Sequence, residues 1–362
     1  MQITELAIHG VRNISSVDLK AHALFNAIVG SNGSGKTSVL ESIYLLSRGR
    51  SFRTRQLDSV MADSEDQLLV RATLEDETAS KHQIGLQRIR DEGKSRFRMD
   101  GEDVNSAASL SELLPVQLLY PESHELVTSG PSNRRRFLDW GLFHVEQSFF
   151  REWKRYRRAL DQRNRLLRRG RMSAQESEPW DAVMASSAQH LDQMREAYLE
   201  ELKPLFVEVL DWLQSSLRDI SLEYRAGWDR TDSYAAQLRL SLDKDLKYRA
   251  TTIGPHRADV AVSLNKKNVS STLSRGQIKI VVYALKLAQG LFLSKKRGRK
   301  CIYLLDDAPS ELDAEHQNKV MSLLVDMNSQ VFITGATLEM LTGSDNYLRS
   351  SHVFHVEHGQ IS

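Results

Sequence analysis

The sequence predicts an α/β fold interrupted by an α-helical insertion, and three observations predict it. The first hundred residues alternate short β-patterned runs with turns. The apolar period then lengthens from two residues to between three and four through the middle of the chain. Finally, an apolar run ending in paired carboxylates, Cys301-Ile302-Tyr303-Leu304-Leu305-Asp306-Asp307, brings the β pattern back. A chain of 362 residues with 41% hydrophobic residues can bury two domains, or one core domain carrying a large insertion.

The early β-patterned runs are Ile3 to Ile8, Phe25 to Val29, Leu68 to Leu74, Gln83 to Ile89 and Arg96 to Met99. One helix interrupts them. It follows Gly30-Ser31-Asn32-Gly33-Ser34-Gly35-Lys36-Thr37, a complete G-x-x-x-x-G-K-S/T phosphate loop, and beyond Ser38 the residues Leu40, Ile43, Tyr44 and Leu45 continue at helical spacing. The glycines let the backbone curl so that successive N–H groups point at phosphates. Gly35 leaves room for Lys36 to reach the β and γ oxygens, and Thr37 is placed to hold Mg²⁺. The helix N-terminus adds its positive end to the same spot. A nucleoside triphosphate is therefore the expected ligand.

From Leu138 the apolar positions Leu142, Val145, Phe149, Trp153, Tyr156 and Leu160 predict one long amphipathic helix. After a break at Arg171 to Pro179, a second stripe runs from Trp180 through Met184, Leu191, Tyr198 and Leu205 to Leu213, with Pro204 expected to kink it. Two helices of about 35 residues, each roughly 50 Å long, suggest an antiparallel pair. Charge gathers here. Arg134 to Arg171 holds thirteen Lys and Arg residues against four carboxylates, whereas the whole chain carries a formal net charge of only +2. Such a surface suits sequence-independent phosphate contacts with DNA, and Arg134, Arg135, Arg155, Arg158 and Arg165 are the candidates. No base-reading motif accompanies them. A second basic run, Lys295 to Lys300, reads as a surface turn.

Strand and helix signals resume near Thr251. Leu273-Ser274-Arg275-Gly276-Gln277 opens a helical pattern reaching Leu291, and the run 301–305 describes a buried parallel strand with Asp306 at its tip, where α/β sheets hold ligands. Asp306 is the natural Walker B aspartate. Cys301 is the single cysteine, which excludes a disulfide framework and favours a reducing compartment. Met1-Gln2-Ile3-Thr4 has neither a basic nor an apolar leader pattern, and no stretch approaches the 18 apolar residues of a membrane span, so a cytoplasmic protein with no membrane partner is expected. His256, in Gly254-Pro255-His256-Arg257, has no second His or Cys at zinc spacing.

Several of these segments carry a family resemblance. Leu273 to Gln277 resembles the LSGGQ signature of ABC-type ATPases, and Asp306-Asp307-Ala308-Pro309-Ser310-Glu311-Leu312-Asp313 resembles their Walker B plus D-loop. Together with the phosphate loop, Gly49-Arg50-Ser51-Phe52-Arg53, Pro131 to Asp139, Gly254 to Arg257 and Val353 to Gly359, they resemble the RecF family of bacterial DNA repair and replication proteins along nearly the whole chain. The resemblance implies an ABC/SMC-like P-loop ATPase head formed by residues 1–104 and 249–362, with residues 105–248 as a helical second lobe with a basic face. It implies ATP and Mg²⁺ as cofactors. It also implies an ATP-dependent homodimer in which Ser274, Arg275, Gly276, Gln277 and Asp313 of one subunit meet nucleotide held by Gly30 to Ser38 of the other.

On the same ground, Lys36 and Asp307 would be catalytic, Thr37 and Asp306 would hold the metal, and hydrolysis would be slow because Asp307 stands where a longer glutamate is usual. The implied role is binding of gapped or single-strand/double-strand junction DNA in recombinational repair and replication-fork maintenance, with RecO and RecR promoting RecA loading. Arg12 reads equally as a phosphate contact or a solvated turn. Gln117 lies near the place of a Mg²⁺-sensing glutamine. Thr334-Gly335-Ala336-Thr337 stands where transporters carry a switch histidine, which leaves the γ-phosphate sensor unassigned. Other readings of the same motifs are an SMC-like clamp, a transporter motor subunit, and a module that ATP cements without hydrolysis. Helix length disfavours the first, and the absent switch histidine disfavours the second.

Overall fold

Phe25–Val29 is buried at all five positions, as a strand covered on both faces must be, and it lies inside a six-stranded sheet. The sheet order is Gln360–Ile361, Ser351–Glu357, Phe25–Val29, Val331–Gly335, Ile302–Leu305 and Val116–Leu119. All pairings are parallel except the hairpin of the first two strands. Parallel strands bring their carboxyl ends to one edge, so the segments after Val29, Leu119, Leu305 and Gly335 are gathered there.

The computed structural model describes residues 1–342 and 351–362, which form two compact units: Met1–Ser123 with Lys279–Ser362, and His124–Ile278. In the first unit a second, antiparallel sheet runs in the order Ile14–Lys20, Gln2–Val11, Gln67–Glu75, Lys81–Ile89, Ser95–Met99 and Glu102–Val104. Its period-two pattern buries Leu68, Val70, Ala72 and Leu74 on one face only. The helix Lys36–Arg48 places Val39, Leu40, Ile43 and Leu46 in one core with Ile8 and Val70 of this sheet and Ile28, Leu304 and Phe332 of the other. Gln330 ties the sheets together: its side chain accepts from the Ile3 N–H at 2.8 Å and donates to the Ile3 carbonyl at 2.7 Å.

The second unit holds the helices Pro131–Val145, Phe149–Arg168 and Ala174–Gln214, the short helices Tyr234–Leu240 and Leu242–Tyr248, and an antiparallel sheet of Ile220–Arg225, Asp259–Leu264 and Lys267–Asn268. Two expectations about the helices change. The single helix read from Leu138 onward is two helices, because Glu146 leaves helical backbone and its carboxylate takes the N–H and hydroxyl of Ser148, a local bond that competes with the helix. The next helix begins earlier than expected, behind a Ser173/Glu176 capping box, and runs for 41 residues through both Pro179 and Pro204. Its buried stripe of Ser177, Asp181, Met184, Ala188 and Leu191 continues past Pro179, so packing outweighs the missing N–H.

The domain boundaries expected at 104/105 and 248/249 also move. Residues 105–123 join the first unit because Val116–Leu119 is an edge strand of its parallel sheet, and residues 249–278 join the second because Asp259–Leu264 pairs with Ile220–Arg225. The helix Arg275–Arg297 is long and apolar enough to cross a membrane by composition, contrary to the reading of the sequence, but 72% of its apolar stretch is buried, which marks a core helix.

Candidate nucleotide site and nucleic-acid face

The phosphate loop leaves Phe25–Val29 at Gly30 and ends at Gly35, the N-cap of Lys36–Arg48. Gly33 and Gly35 have φ of 79° and 122°, left-handed backbone that a side chain would strain. Gly30 is required for space, since a Cβ there would run into the Val356 carbonyl oxygen. Asn13 braces the loop from outside by donating to the carbonyls of Gly33 (3.1 Å) and Ser34 (2.8 Å) while accepting from Ser38 Oγ at 3.2 Å. The Gly359 N–H donates to the Ser34 carbonyl at 2.9 Å. Within this frame Lys36 Nζ donates to the Gly30 and Ser31 carbonyls, both at 2.8 Å. Burial pulls its pKa down, while Asp307 and Asp306 pull it back up. Ser31 and Asn32 form the exposed crown of the loop.

Two strands away, Asp306 extends the buried strand Ile302–Leu305 and is held by its N–H to the Leu119 carbonyl at 2.8 Å. Its Oδ1 accepts from Thr37 Oγ1 and from Thr334 Oγ1, both at 2.9 Å. Burial raises the Asp306 pKa, and the two hydroxyls oppose that rise. Thr334 Oγ1 also accepts the Asp307 N–H at 2.8 Å, so one hydroxyl joins both Walker carboxylate residues. Asp307 adopts left-handed backbone at φ 52°, is exposed, and accepts from Ser310 Oγ at 2.7 Å.

These residues fit a magnesium nucleotide. The curl of the loop depends on its glycines, since a Cβ at Gly30 would run into the Val356 carbonyl and one at Gly35 would crowd Asn13 and Val356, and Ser34 Oγ is buried without a hydrogen-bond partner. Among the described residues no three His, Cys, Asp or Glu side chains assemble as a metal cage. One carboxylate and one hydroxyl suit Mg²⁺, which takes few protein ligands and completes its octahedron with phosphate oxygens and water. Thr37 and Asp306 would hold it.

Asp313 caps the helix Ala314–Asp326, accepting the His316 N–H at 2.9 Å, and that bond first, with the imidazole, holds its carboxyl below the usual range. In the second unit the segment Ser274 to Gln277 forms a reciprocal capping box: Ser274 N–H to Gln277 Oε1 at 3.0 Å and Gln277 N–H to Ser274 Oγ at 3.3 Å. Ser274, Arg275 and Gly276 are exposed, and a Cβ on Gly276 would meet nothing.

The basic run divides. Arg155, Arg158 and Arg165 are exposed on Phe149–Arg168. Arg134 and Arg135 are not free for DNA: Arg134 forms a bidentate pair with Asp259 (2.7 and 3.0 Å), and Arg135 donates to the Ala258 carbonyl at 2.7 Å. Arg163, another member of the run, is fully buried between Asp181 and Asp245, at 2.7 and 2.6 Å. Gly254 to Arg257 is a structural joint. A Cβ on Gly254 would collide with the hydroxyls of Tyr234 and Tyr156, and the His256 ring joins Tyr156 Oη (2.7 Å) to the Thr251 carbonyl (2.9 Å). Burial lowers the His256 pKa to about 4.

A family model for the RecF/RecN/SMC N-terminal domain matches residues 2–362. The chain is 40% identical over 362 residues to the DNA replication and repair protein RecF of Pseudomonas syringae pv. syringae (strain B728a), covering all of this chain and 98% of that protein. The RecF protein of Pseudomonas aeruginosa (strain LESB58) matches at the same identity and coverage. The chain belongs to the RecF family. A solved structure of the recombination mediator protein RecF-ATP in the RecFOR pathway superimposes with a TM-score of 0.87 at 26% identity, covering 99% of this chain and 96% of that one. An SMC head bound to the C-winged helix domain of ScpA matches at TM-score 0.59 and 14% identity, a likeness of fold. The ABC/SMC-like head expected from the sequence is thus the fold of this RecF-family chain.

Sequence reasoning missed three parts of the site. Thr334 was noted only as a departure from the switch histidine, yet it bridges Asp306 and Asp307. Asn13 and Gly359, which buttress the loop, are separated from it by turns or by most of the chain, and no spacing rule reaches that far. Two expectations for this RecF-family site are corrected. Arg12 lies in the turn between the first two strands, but its side chain is not merely solvated: its guanidinium grips the fully buried Glu41 at 2.9 Å through two nitrogens and donates to the Ser59 carbonyl at 2.7 Å. Ser51 binds the same carboxylate, which accounts for Gly49 to Arg53 as a clamp on the helix. Gln117 is buried within its strand and donates to Gln289 at 3.1 Å, so it is committed to the core.

Proposed function

We propose that this chain binds and slowly hydrolyses Mg-ATP, pairs with a second copy across the nucleotide, and holds DNA on the basic face of its helical unit. Its setting is recombinational repair and replication-fork maintenance in the cytoplasm, at gapped or single-strand/double-strand junction DNA, with RecO and RecR promoting RecA loading. The observation that carries the ATP reading is the convergence of Thr37 and Thr334 on one oxygen of a buried Asp306, with Lys36 close to both carboxylates. The names of the relatives, DNA replication and repair protein RecF, and the RecF-ATP title of the matching structure support the rest.

In this reading Lys36 neutralises phosphate charge, Thr37 and Asp306 orient the cation, and Asp307 positions water. Bound Mg-ATP supplies the phosphoanhydride and the cation that offsets its charge. Because Ser274 Oγ and the Gln277 side chain satisfy the capping box, the outward first-turn N–H groups of Arg275 and Gly276 suit an anion offered by another subunit. Gly276 lacks a local packing reason, which supports close approach from outside. Asp313 would flank that interface. On the DNA side Arg155, Arg158 and Arg165 carry the contact, and Arg134 and Arg135 build the scaffold beneath it.

The test is sedimentation velocity with Mg-ATP, with and without gapped duplex, at two salt concentrations. The wild type is expected to shift from monomer to dimer with ATP and to lose DNA steeply as salt rises. Lys36→Met should abolish the shift, and Ser274→Arg should keep ATP binding but block pairing. Normal dimerisation by both variants would sink the trans-capping model.

A further inference from the structure

Among the described residues, the two most exposed of the large hydrophobic side chains lie eight residues apart in the second unit: Leu240 at 80% and Tyr248 at 63%. Both belong to the short helices Tyr234–Leu240 and Leu242–Tyr248, which join through Ser241 in right-handed helical backbone. The Ser241 N–H bonds back to the Gln237 carbonyl at 2.9 Å and the Asp245 N–H to the Ser241 carbonyl at 2.8 Å, so the helical path carries across the join. Leu240, Lys244 and Tyr248 therefore follow one another at four-residue spacing, and all three are exposed. Arg239, Lys247 and Arg249 are exposed around them, against a single exposed carboxylate, Asp243. The other carboxylate of the segment, Asp245, is fully buried and faces Arg163.

That buried pair explains why the segment can work as a surface. Arg163 Nη1 meets Asp245 at 2.6 Å and Thr251 at 2.9 Å, while Asn164 accepts from the N–H and hydroxyl of Thr251, both at 2.8 Å. Asp245 Oδ1 also takes the N–H (2.9 Å) and hydroxyl (2.7 Å) of Thr252. The 239–249 segment is thus clamped at the helical turn that also presents Arg165 and Arg168. The exposed aromatic ring and aliphatic side chain thus sit on an element held in place against the basic helix.

We infer that Leu240 and Tyr248 form a base-engaging site for unpaired nucleotides, with Tyr248 stacking on a base, Leu240 packing beside it, and Lys244, Lys247 and Arg249 gripping the flanking phosphates. Cations interleaved with an exposed aromatic are the chemistry of single-strand binding, in which the charges follow the phosphates and the ring stacks on a base. The inference rests on the DNA-binding reading above and deepens it by assigning where a strand lacking its complement is sensed.

The experiment measures binding of oligo-dT carrying one 2-aminopurine, and of a blunt duplex of equal length, to the full chain. Tyr248→Ala should weaken single-strand binding by between about fivefold and a hundredfold, the range for loss of one stacked base, and abolish the fluorescence change on stacking, while Leu240→Ser should weaken single-strand binding less and keep that change. Tyr248→Phe should restore both, and duplex binding should hold within about twofold. Both side chains are exposed, so unchanged thermal melts verify folding. Wild-type single-strand affinity in Tyr248→Ala, or equal losses on duplex and single strand, overturns the base-engaging site. If the wild type binds neither DNA, the DNA-binding reading itself falls, and this inference with it.

Discussion

Replacing Thr334 by Val removes one hydroxyl without changing side-chain shape, and the structure says what that hydroxyl does. It donates to Asp306 Oδ1 at 2.9 Å and accepts the Asp307 N–H at 2.8 Å, in a site where Asp306 is 8% exposed. A hydrogen bond to a charged group contributes about 1.5–3 kcal/mol and a neutral one about 1 kcal/mol, so the variant should lose roughly 2–4 kcal/mol. For a unit of about 200 residues that corresponds to a fall in Tm of roughly 4–16 °C. The loss of a donor should also raise the Asp306 pKa further, so a titration of Mg²⁺ against a fluorescent ATP analogue should need more metal to reach half-saturation. Thr334→Ser keeps the hydroxyl and should stay near wild type in both assays. A Thr334→Val protein that melts within a degree of wild type, with unchanged magnesium dependence, would show that the bridge organises nothing.

Two further predictions concern the second unit. Because burial holds His256 at a pKa of about 4 against an ordinary 6.5, its contribution is complete above pH 6.5 and is lost as the pH falls from there toward 4, by up to about 3 kcal/mol. Urea unfolding of wild type and His256→Gln at pH 7.5 and 4.5 checks this, since the pH-dependent difference should shrink in the variant. Arg163→Met leaves two carboxylates, Asp181 and the fully buried Asp245, without their cation, and should destabilise the protein by about 3–5 kcal/mol in the same assay. Restoration by the triple change with Asp181→Asn and Asp245→Asn would identify the uncompensated charges as the cause; no restoration would assign the loss to packing.

What the sequence made legible is what local chemistry encodes. Phe25–Val29 appears at its expected bounds because a strand buried on both faces is a continuous apolar run, and the phosphate loop is a contiguous motif whose glycines have conformational reasons. Asp306 lies at the tip of another such strand, as its apolar run predicts. Charge was legible as composition and not as direction: Arg134, Arg135 and Arg163 add to the count of a basic surface while binding Asp259, the Ala258 carbonyl and the Asp181/Asp245 pair. Partners so distant along the chain leave no trace in local spacing. The helix break at Glu146 is hidden for a different reason, since the apolar period runs on through it and two local bonds from Ser148 to the Glu146 carboxylate decide the backbone.

The contact between Gly359 and Ser34 has a bearing on how the protein is made. The loop from Gly30 to Thr37 is synthesised about 320 residues before the strand Ser351–Glu357 that lies beside its own strand and the N–H that pins its carbonyl. A chain still emerging from the ribosome carries the whole loop sequence without the neighbour that shapes it. In the proposed reading, competence for nucleotide therefore waits for residues 351–359, whereas the exposed arginines of the helical unit are synthesised well before them.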